Sequence, residues 1–467
     1  MRLIILQPMP DPRPDRRAYR DEVTVVAAAL RQRGHKVTLL YFDRSREADL
    51  GATVAAAQPE LVLLYAEALA VDLAVRAAGA VASACGAPLV AFGPHARLCP
   101  DDCLSLVGAE AVAVGPADFA IPDYLAARRA SLDSARTPGM WVRCETGIMR
   151  NLPPKPPASL ADRPIPARDL YPSEETLDPA AFAYVGVARG GEDAVALPAA
   201  RGPGPPPPVP WSPTGSWPVL HRPLDAVLDE MAAVSKDQID LDGWRVGNER
   251  WAASAEWLAD FAARYPREIG LPLRTALHAP DITPRTAELL AQAGCREVAI
   301  AVGSSSTFIR TEVLGLHVAD ASVADAFATL RHAGISSVAR VQVGAPYETT
   351  VTLDETVRLL RQLDPDRVEA TLHYPTPGSQ SWKIARENGW LVSDPAAAHL
   401  AGKPAVAMRS LSDEQIVAVC ELLPYQVNRP RIVPLLRLTR RVRIGRYGTA
   451  YDLVVKPLLA PPLRRAK

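Results

Sequence analysis

Thiols are the strongest metal- and redox-active groups a chain can offer, and this one has six, at Cys85, Cys99, Cys103, Cys144, Cys295 and Cys420. Their spacing gives neither a disulfide framework nor a zinc-type C-x-x-C pair, which points to a reducing, cytoplasmic setting. Cys99 and Cys103, in CPDDC, stand one helical turn apart, and two thiolates without further ligands do not make a metal site. The stretch ARGGEDAVALPAA, Ala188 to Ala200, contains no cysteine. Carboxylates offer other chemistry. If IDLDG is a strand, Asp240 and Asp242 share one face, where they can bind an amine, act as a base or form a solvated rim. GPH, Gly93 to His95, closes the strand-like run PLVAF. Its glycine allows a backbone to approach a flat ligand closely, and its histidine equally suits a capping turn.

These residues need elements to position them. From Arg2 to about Ala130, short β-rich runs (RLIIL, KVTLL, ELVLLY, PLVAF, AVAVG) alternate with helical stretches rich in Ala and Arg, the pattern of a doubly wound parallel sheet of the α/β class. Ligands of such sheets sit beyond the carboxyl ends of the strands, so the informative loops are 7–12, 65–71, 93–97 and 115–118. Residues 132–180 are rich in proline and read as a connector. A second tract, GPGPPPPVPWSPTGSWP at 202–218, can form neither a helix nor a ladder strand. From about Pro223 the alternation resumes through QIDLD, LPLRTAL, EVAIAV, SSVARVQVG and RVEATLHY, and about six strands are counted once 184–187 is included. Beyond Trp390 the pattern weakens. The tail sets Arg429, Arg431, Arg437, Arg440, Arg441, Arg443 and Arg446 against Asp452, which suits either a phosphate-bearing surface or a solvated helix.

Length and charge bound the function. A chain of 467 residues exceeds one ordinary compact domain, and two or three are expected. Lys plus Arg equals Asp plus Glu at 52 each, so no global field draws the protein to nucleic acid or an acidic membrane. The N-terminal apolar run is too short for a signal segment and reads as a first strand. The longest apolar stretch, Val71 to Phe92, is broken by Asp72, Arg76, Gly79, Gly86 and Pro88, so no transmembrane segment is expected.

Taken in order, GPH, GPAD (Gly115 to Asp118), the cysteine-free stretch, AVGSSS (Ala301 to Ser306), GAPYET (Gly344 to Thr349) and YPTPGS (Tyr374 to Ser379) resemble the cobalamin-dependent radical S-adenosylmethionine family. The resemblance implies a Rossmann-like (flavodoxin-like) cobalamin-binding domain at 1–131, a connector at 132–180, a partial (β/α)6 barrel of the TIM type at 181–391 and a helical, basic extension at 392–467. Family members hold a [4Fe-4S] cluster with C-x3-C-x2-C after the first barrel strand. The corresponding positions here are Gly191, Val195 and Pro198, and none ligates iron. The family's G-G-P-H loop runs beside the corrin, so the resemblance assigns cobalamin binding to Gly93, Pro94, His95 and Gly115, with Phe92 where another glycine is usual. Tyr65 either lies against the corrin or is a barely exposed aromatic. The D-x-H-x-x-G pattern that supplies a lower axial imidazole is missing. Gly303 replaces a family Glu that helps hold S-adenosylmethionine, and glycine offers only backbone. GAPYET and YPTPGS read as turns that start helices.

Three functions are open to such a chain. An active radical enzyme requires a cluster, for which the thiolates would have to come from a partner. A cobalamin-dependent methyltransferase can pass a methyl cation to a nucleophile without an external electron. A non-catalytic accessory or scaffolding protein of a biosynthetic pathway would pair with an active radical S-adenosylmethionine homologue or a carrier protein. Loss of the three thiolates and of the carboxylate at Gly303 favours this last reading, with cobalamin as cofactor, no [4Fe-4S] cluster and a weakened S-adenosylmethionine pocket.

Overall fold

The computed structural model describes residues 1–9, 19–172, 182–189, 218–238, 241–247 and 249–434. The chain divides into two units, one comprising Met1–Trp251, Arg267–Leu271 and Thr376–Lys383, the other Ala252–Pro266, Pro272–Pro375 and the chain from Ile384.

The first unit is built on seven strands: β1 (Arg2–Pro8), β2 (Lys36–Phe42), β3 (Leu61–Tyr65), β4 (Leu89–Phe92), β5 (Ala111–Ala113), β6 (Met140–Cys144) and β7 (Gly147–Arg150). Their order is β2-β1-β3-β4-β5-β6-β7, with parallel pairing as far as β5. Strands covered on both faces read as continuous apolar runs, and LIIL and LVLLY are buried throughout. Alternate side chains serve opposite faces. Leu3, Ile5, Leu63 and Phe92 pack with Val26 and Leu30 of the helix Asp21–Gln32 and Ile121 of the helix Ala117–Arg129. Ile4, Leu6, Val62 and Leu64 pack with Val54 of Glu47–Ala56 and Ala77 of Val71–Ala84.

The sheet runs further than composition suggested. Met140–Cys144 pairs antiparallel with β5 and then with Gly147–Arg150, inside the segment read as a connector. Trp141 and Val142 are buried on opposite faces, and backbone pairing outweighs the nearby prolines. Beyond it, Arg168 and Arg222 both meet Glu230, on the helix Leu224–Asp237. Glu230 is 1% exposed and Arg222 2%, so one carboxylate is shared by two guanidinium groups away from water. Arg168 also bonds the Tyr184 carbonyl.

The second sheet uses β8 (Phe182–Gly186), β11 (Gly243–Gly247), β12 (Leu273–Ala276), β13 (Cys295–Gly303), β14 (Ser336–Val343) and β15 (Arg367–Leu372) in the order β15-β14-β13-β12-β11-β8. A short antiparallel ribbon, β9 (Ala188–Arg189) with β10 (Leu220–His221), intervenes in sequence. Helices alternate with these strands, including Pro284–Gln292, Asp320–His332 and Thr350–Leu363, in the βα pattern of a partial barrel. The second strand is GWRVG rather than QIDLD. Apolar Trp244 and Val246 are buried, whereas Asp242 precedes the strand and stands at its amino end, not on a strand face as expected.

Candidate functional site

In the first unit the strand order reverses between β1 and β3, the position where open α/β sheets leave a crevice beyond their carboxyl ends. Tyr65 ends β3 and is buried, with its ring edge-on to Phe92 at 5.3 Å between centroids. Burial, then the nearby Glu22 and Glu67 carboxylates, hold its phenol well above the ordinary range. Gly93 follows β4 with φ +108°, and a Cβ there would stand 2.9 Å from both the Ala66 carbonyl oxygen and the Tyr65 ring. Packing against Tyr65 therefore demands glycine. The His95 amide donates to the same Ala66 carbonyl at 2.9 Å.

Tyr65 thus packs against the turn made by Gly93, Pro94 and His95. Gly115 lies after the next strand, donating to the Gly139 carbonyl at 3.0 Å, and a Cβ on it would meet Gly139 Cα at 3.0 Å and Pro154 at 3.2 Å. Pro94 is half-buried and the other four are buried. Arg20–Glu67 and Arg97–Glu22 ion pairs brace the same rim. Tyr171 bonds Gln7 of β1 and stacks on Tyr41 at 6.0 Å.

The His95 ring turns inward. It is 2% exposed, and neither ring nitrogen has a hydrogen-bond partner. Its Nε2 lies 3.6 Å from Asp102 Oδ2, and ligand atoms of His95, Cys99 and Asp102 all fall within 4.8 Å of one another. Cys103 goes elsewhere. It packs with Val62 and Leu104 in the core, where burial drives its thiol far above the ordinary value. Gly378, in the YPTPGS turn, rests on this segment, since a Cβ there would stand 3.1 Å from Cys99 Sγ.

In the second unit, Gly303 ends β13 with φ +69°, and a Cβ would stand 2.7 Å from Leu316. The left-handed backbone, more than the movable Leu316 side chain, favours glycine there. The loop that follows is tied down: Ser305 N donates to Thr356 Oγ1 at 3.1 Å, and Arg310 donates to the Ser304 carbonyl at 3.1 Å. Glu348, in GAPYET, accepts from the amides of Gly344 at 2.6 Å and Ala345 at 3.3 Å. Burial raises its carboxyl to about 7 against the pull of those two amides. Thr349 and Thr352 form a reciprocal cap on the helix Thr350–Leu363, so this motif builds structure.

Two features of the barrel strands' carboxyl ends were invisible in sequence. His373 follows β15, bonded through Nδ1 to Gln342 Oε1 at 2.6 Å, and burial lowers it to about 4, which keeps the imidazole neutral. Phe308, Tyr347 and Trp390 form an edge-to-face row with centroid separations of 5.4 and 5.1 Å. Tyr347 does so at φ +70°. Gly191, Val195, Pro198 and Asp240 lie outside the described residues, as do Arg437, Arg440, Arg441, Arg443, Arg446 and Asp452. Among the described residues no helix is long and apolar enough to cross a membrane.

No protein-family model matches the chain. It is 23% identical over 352 residues to an uncharacterised methyltransferase of Pyrococcus horikoshii, covering 71% of this chain and 69% of that protein. Among solved structures it is similar to the radical S-adenosylmethionine methyltransferase TsrM of Kitasatospora setae with cobalamin and a [4Fe-4S] cluster bound, at 19% identity and a TM-score of 0.62, over 83% of this chain and 78% of that one. It is also similar to OxsB, a cobalamin-dependent S-adenosylmethionine radical enzyme solved with aqua-cobalamin and S-adenosylmethionine, at 12% identity and a TM-score of 0.63, over 91% of this chain and 61% of that one. At such identities the likeness is one of fold. The α/β architecture, a Rossmann-like sheet followed by a partial barrel, is the one expected from the sequence.

Proposed function

We propose that the chain is a cobalamin-binding protein that works without an iron–sulfur cluster, as an accessory or scaffolding component of a biosynthetic pathway. The observation that carries this reading is where the six cysteines stand. Cys85, Cys99, Cys103 and Cys144 belong to the first sheet and the helices and loops joining its strands, Cys295 begins β13, and Cys420 is on the helix Asp413–Asn428. None lies in the segment that follows β8, and no other cysteine exists in the chain. The residues present therefore do not fit a cluster at that position. Glycine at 303, in a left-handed backbone that offers no carboxylate, supports the same relaxation of the S-adenosylmethionine pocket.

Cobalamin fits better. The crevice at the β1/β3 reversal is flanked by the Gly93–Pro94 turn, whose glycine lets the chain seat closely on Ala66 and Tyr65, and whose Pro94 alone of the five candidate residues is half-buried. Gly93 and Pro94 would line such a ligand, Tyr65 would support them from beneath, and His95 and Gly115 would set the backbone course of their loops. When bound, cobalamin supplies a methyl group transferable as a cation. A second reading, a cobalamin-dependent methyltransferase acting by polar transfer, draws support from the likeness to the methyltransferase of Pyrococcus horikoshii. In the accessory reading, the partner is an active radical S-adenosylmethionine homologue or a carrier protein.

The test is the visible spectrum and metal content of protein expressed with hydroxocobalamin and then exposed to iron and sulfide. Corrin bands with iron well below one cluster per chain are expected. Stoichiometric iron together with cleavage of S-adenosylmethionine would overturn the cluster-free reading, and a colourless protein would remove the cobalamin.

A further inference from the structure

We propose that His95, Cys99 and Asp102 form a binding site for a borderline-soft divalent cation of the zinc type, independent of any corrin. The three residues occupy successive turns of one short segment. The helix Pro94–Leu98 carries His95, Cys99 is the joint, and the helix Pro100–Ser105 carries Asp102. Their ligand atoms lie within 4.8 Å of one another. The 3.6 Å between His95 Nε2 and Asp102 Oδ2 already suits tetrahedral coordination, in which nitrogen and oxygen ligands stand about 3.4 Å apart. Cys99 and Asp102 are both partly exposed, so modest side-chain rotations can close the remaining gap.

The independent sign of a ligand is the imidazole. His95 is 2% exposed and leaves both ring nitrogens without a hydrogen-bond partner, one of them directed at the Asp102 carboxylate. A buried polar group is ordinarily paired, and one left unmade costs about 1–3 kcal/mol. A cation on Nε2 satisfies one of the two nitrogens. Nitrogen, sulfur and oxygen donors together select zinc-like ions over magnesium or calcium, which prefer oxygen alone. The charges also balance: a thiolate and a carboxylate neutralise the dication, with the thiol proton released to solvent on binding. Three protein ligands leave a fourth position for water, on the side where Asp102 meets solvent. The spacing H-x3-C-x2-D carries this site in the sequence, but there attention falls on Cys103, which the fold commits to the core.

The experiment is equilibrium dialysis of the full chain, free of corrin, against zinc, with metal counted by mass spectrometry, and cobalt(II) as an optical probe for thiolate charge transfer. One zinc per chain is expected, with a thiolate band on cobalt(II) loading. Cys99→Ser should weaken binding by at least about tenfold, in line with the loss of a metal ligand, and Cys420→Ser should leave it unchanged. Should Cys99→Ser fail to fold, judged by circular dichroism, Asp102→Asn serves as the same comparison. Wild-type protein that retains no zinc, or a ligand variant within tenfold of wild type, overturns the proposal. Because the readout needs no corrin, its failure leaves the cobalamin reading standing, and a colourless protein leaves this one.

Discussion

A carboxyl group shut away from water with only two backbone amides for company is a proton trap. Glu348 is raised to about 7 from an ordinary 4.5 by burial, so the folded protein binds its proton across a range where the unfolded chain has already lost it. The folded form holds more protons there, and stability therefore falls as pH climbs from about 4.5 to about 7. The integrated loss is about 3 kcal/mol. Glu348→Gln keeps an oxygen to accept from Gly344 and Ala345 but has nothing to ionise. Denaturation curves at pH 5 and pH 8 should show the variant gaining on wild type at the higher pH, by about 3 kcal/mol. Equal pH slopes in the two proteins would mean that Glu348 ionises freely.

The turn from β4 into the helix Pro94–Leu98 depends on one missing methyl. Gly93→Ala must place its Cβ against Ala66 and the Tyr65 ring while holding φ +108°, so it should destabilise the first unit by about 2 kcal/mol, read as a lower melting temperature. An unchanged melting temperature would show that β3 gives way easily. This turn was legible in sequence because Gly-Pro after an apolar run is unambiguous punctuation, and the five parallel strands were legible for the same reason. The hairpin of β6 and β7 was not. MWVRC and GIMR are short and lie between prolines, and only the alternation about Cys144–Gly147 signals them. QIDLD misled because its alternation is real, while the burial of Trp244 places the strand directly after it, at Gly243–Gly247. Among the site residues, chain proximity placed Gly93 with His95, and the H-x3-C-x2-D spacing keeps Cys99 and Asp102 near, but only the fold shows that the His95 ring turns inward and that His373 meets Gln342 across two strands.

On the largest scale the first unit is held by groups far apart in sequence. Arg168, Arg222 and Glu230 bring the segment after the first sheet, the end of β10 and a helix to one buried charge cluster. Glu230→Gln would leave two buried guanidinium groups facing a neutral amide, at a cost of about 3 kcal/mol, measurable as a shift of the urea midpoint. A midpoint unmoved by the change would show that water reaches the cluster. The net charge of zero, with 52 groups of each sign, means that such internal pairings rather than any overall field shape the electrostatics. Gly378 pressed on Cys99 adds a temporal dimension. Thr376–Lys383 completes a unit that begins at Met1, so the ribosome must deliver residues up to 383 before that unit has all its pieces. The core of the seven-stranded sheet, made of residues up to Tyr171, can close long before then, whereas the Cys99 segment waits for the turn that rests on it.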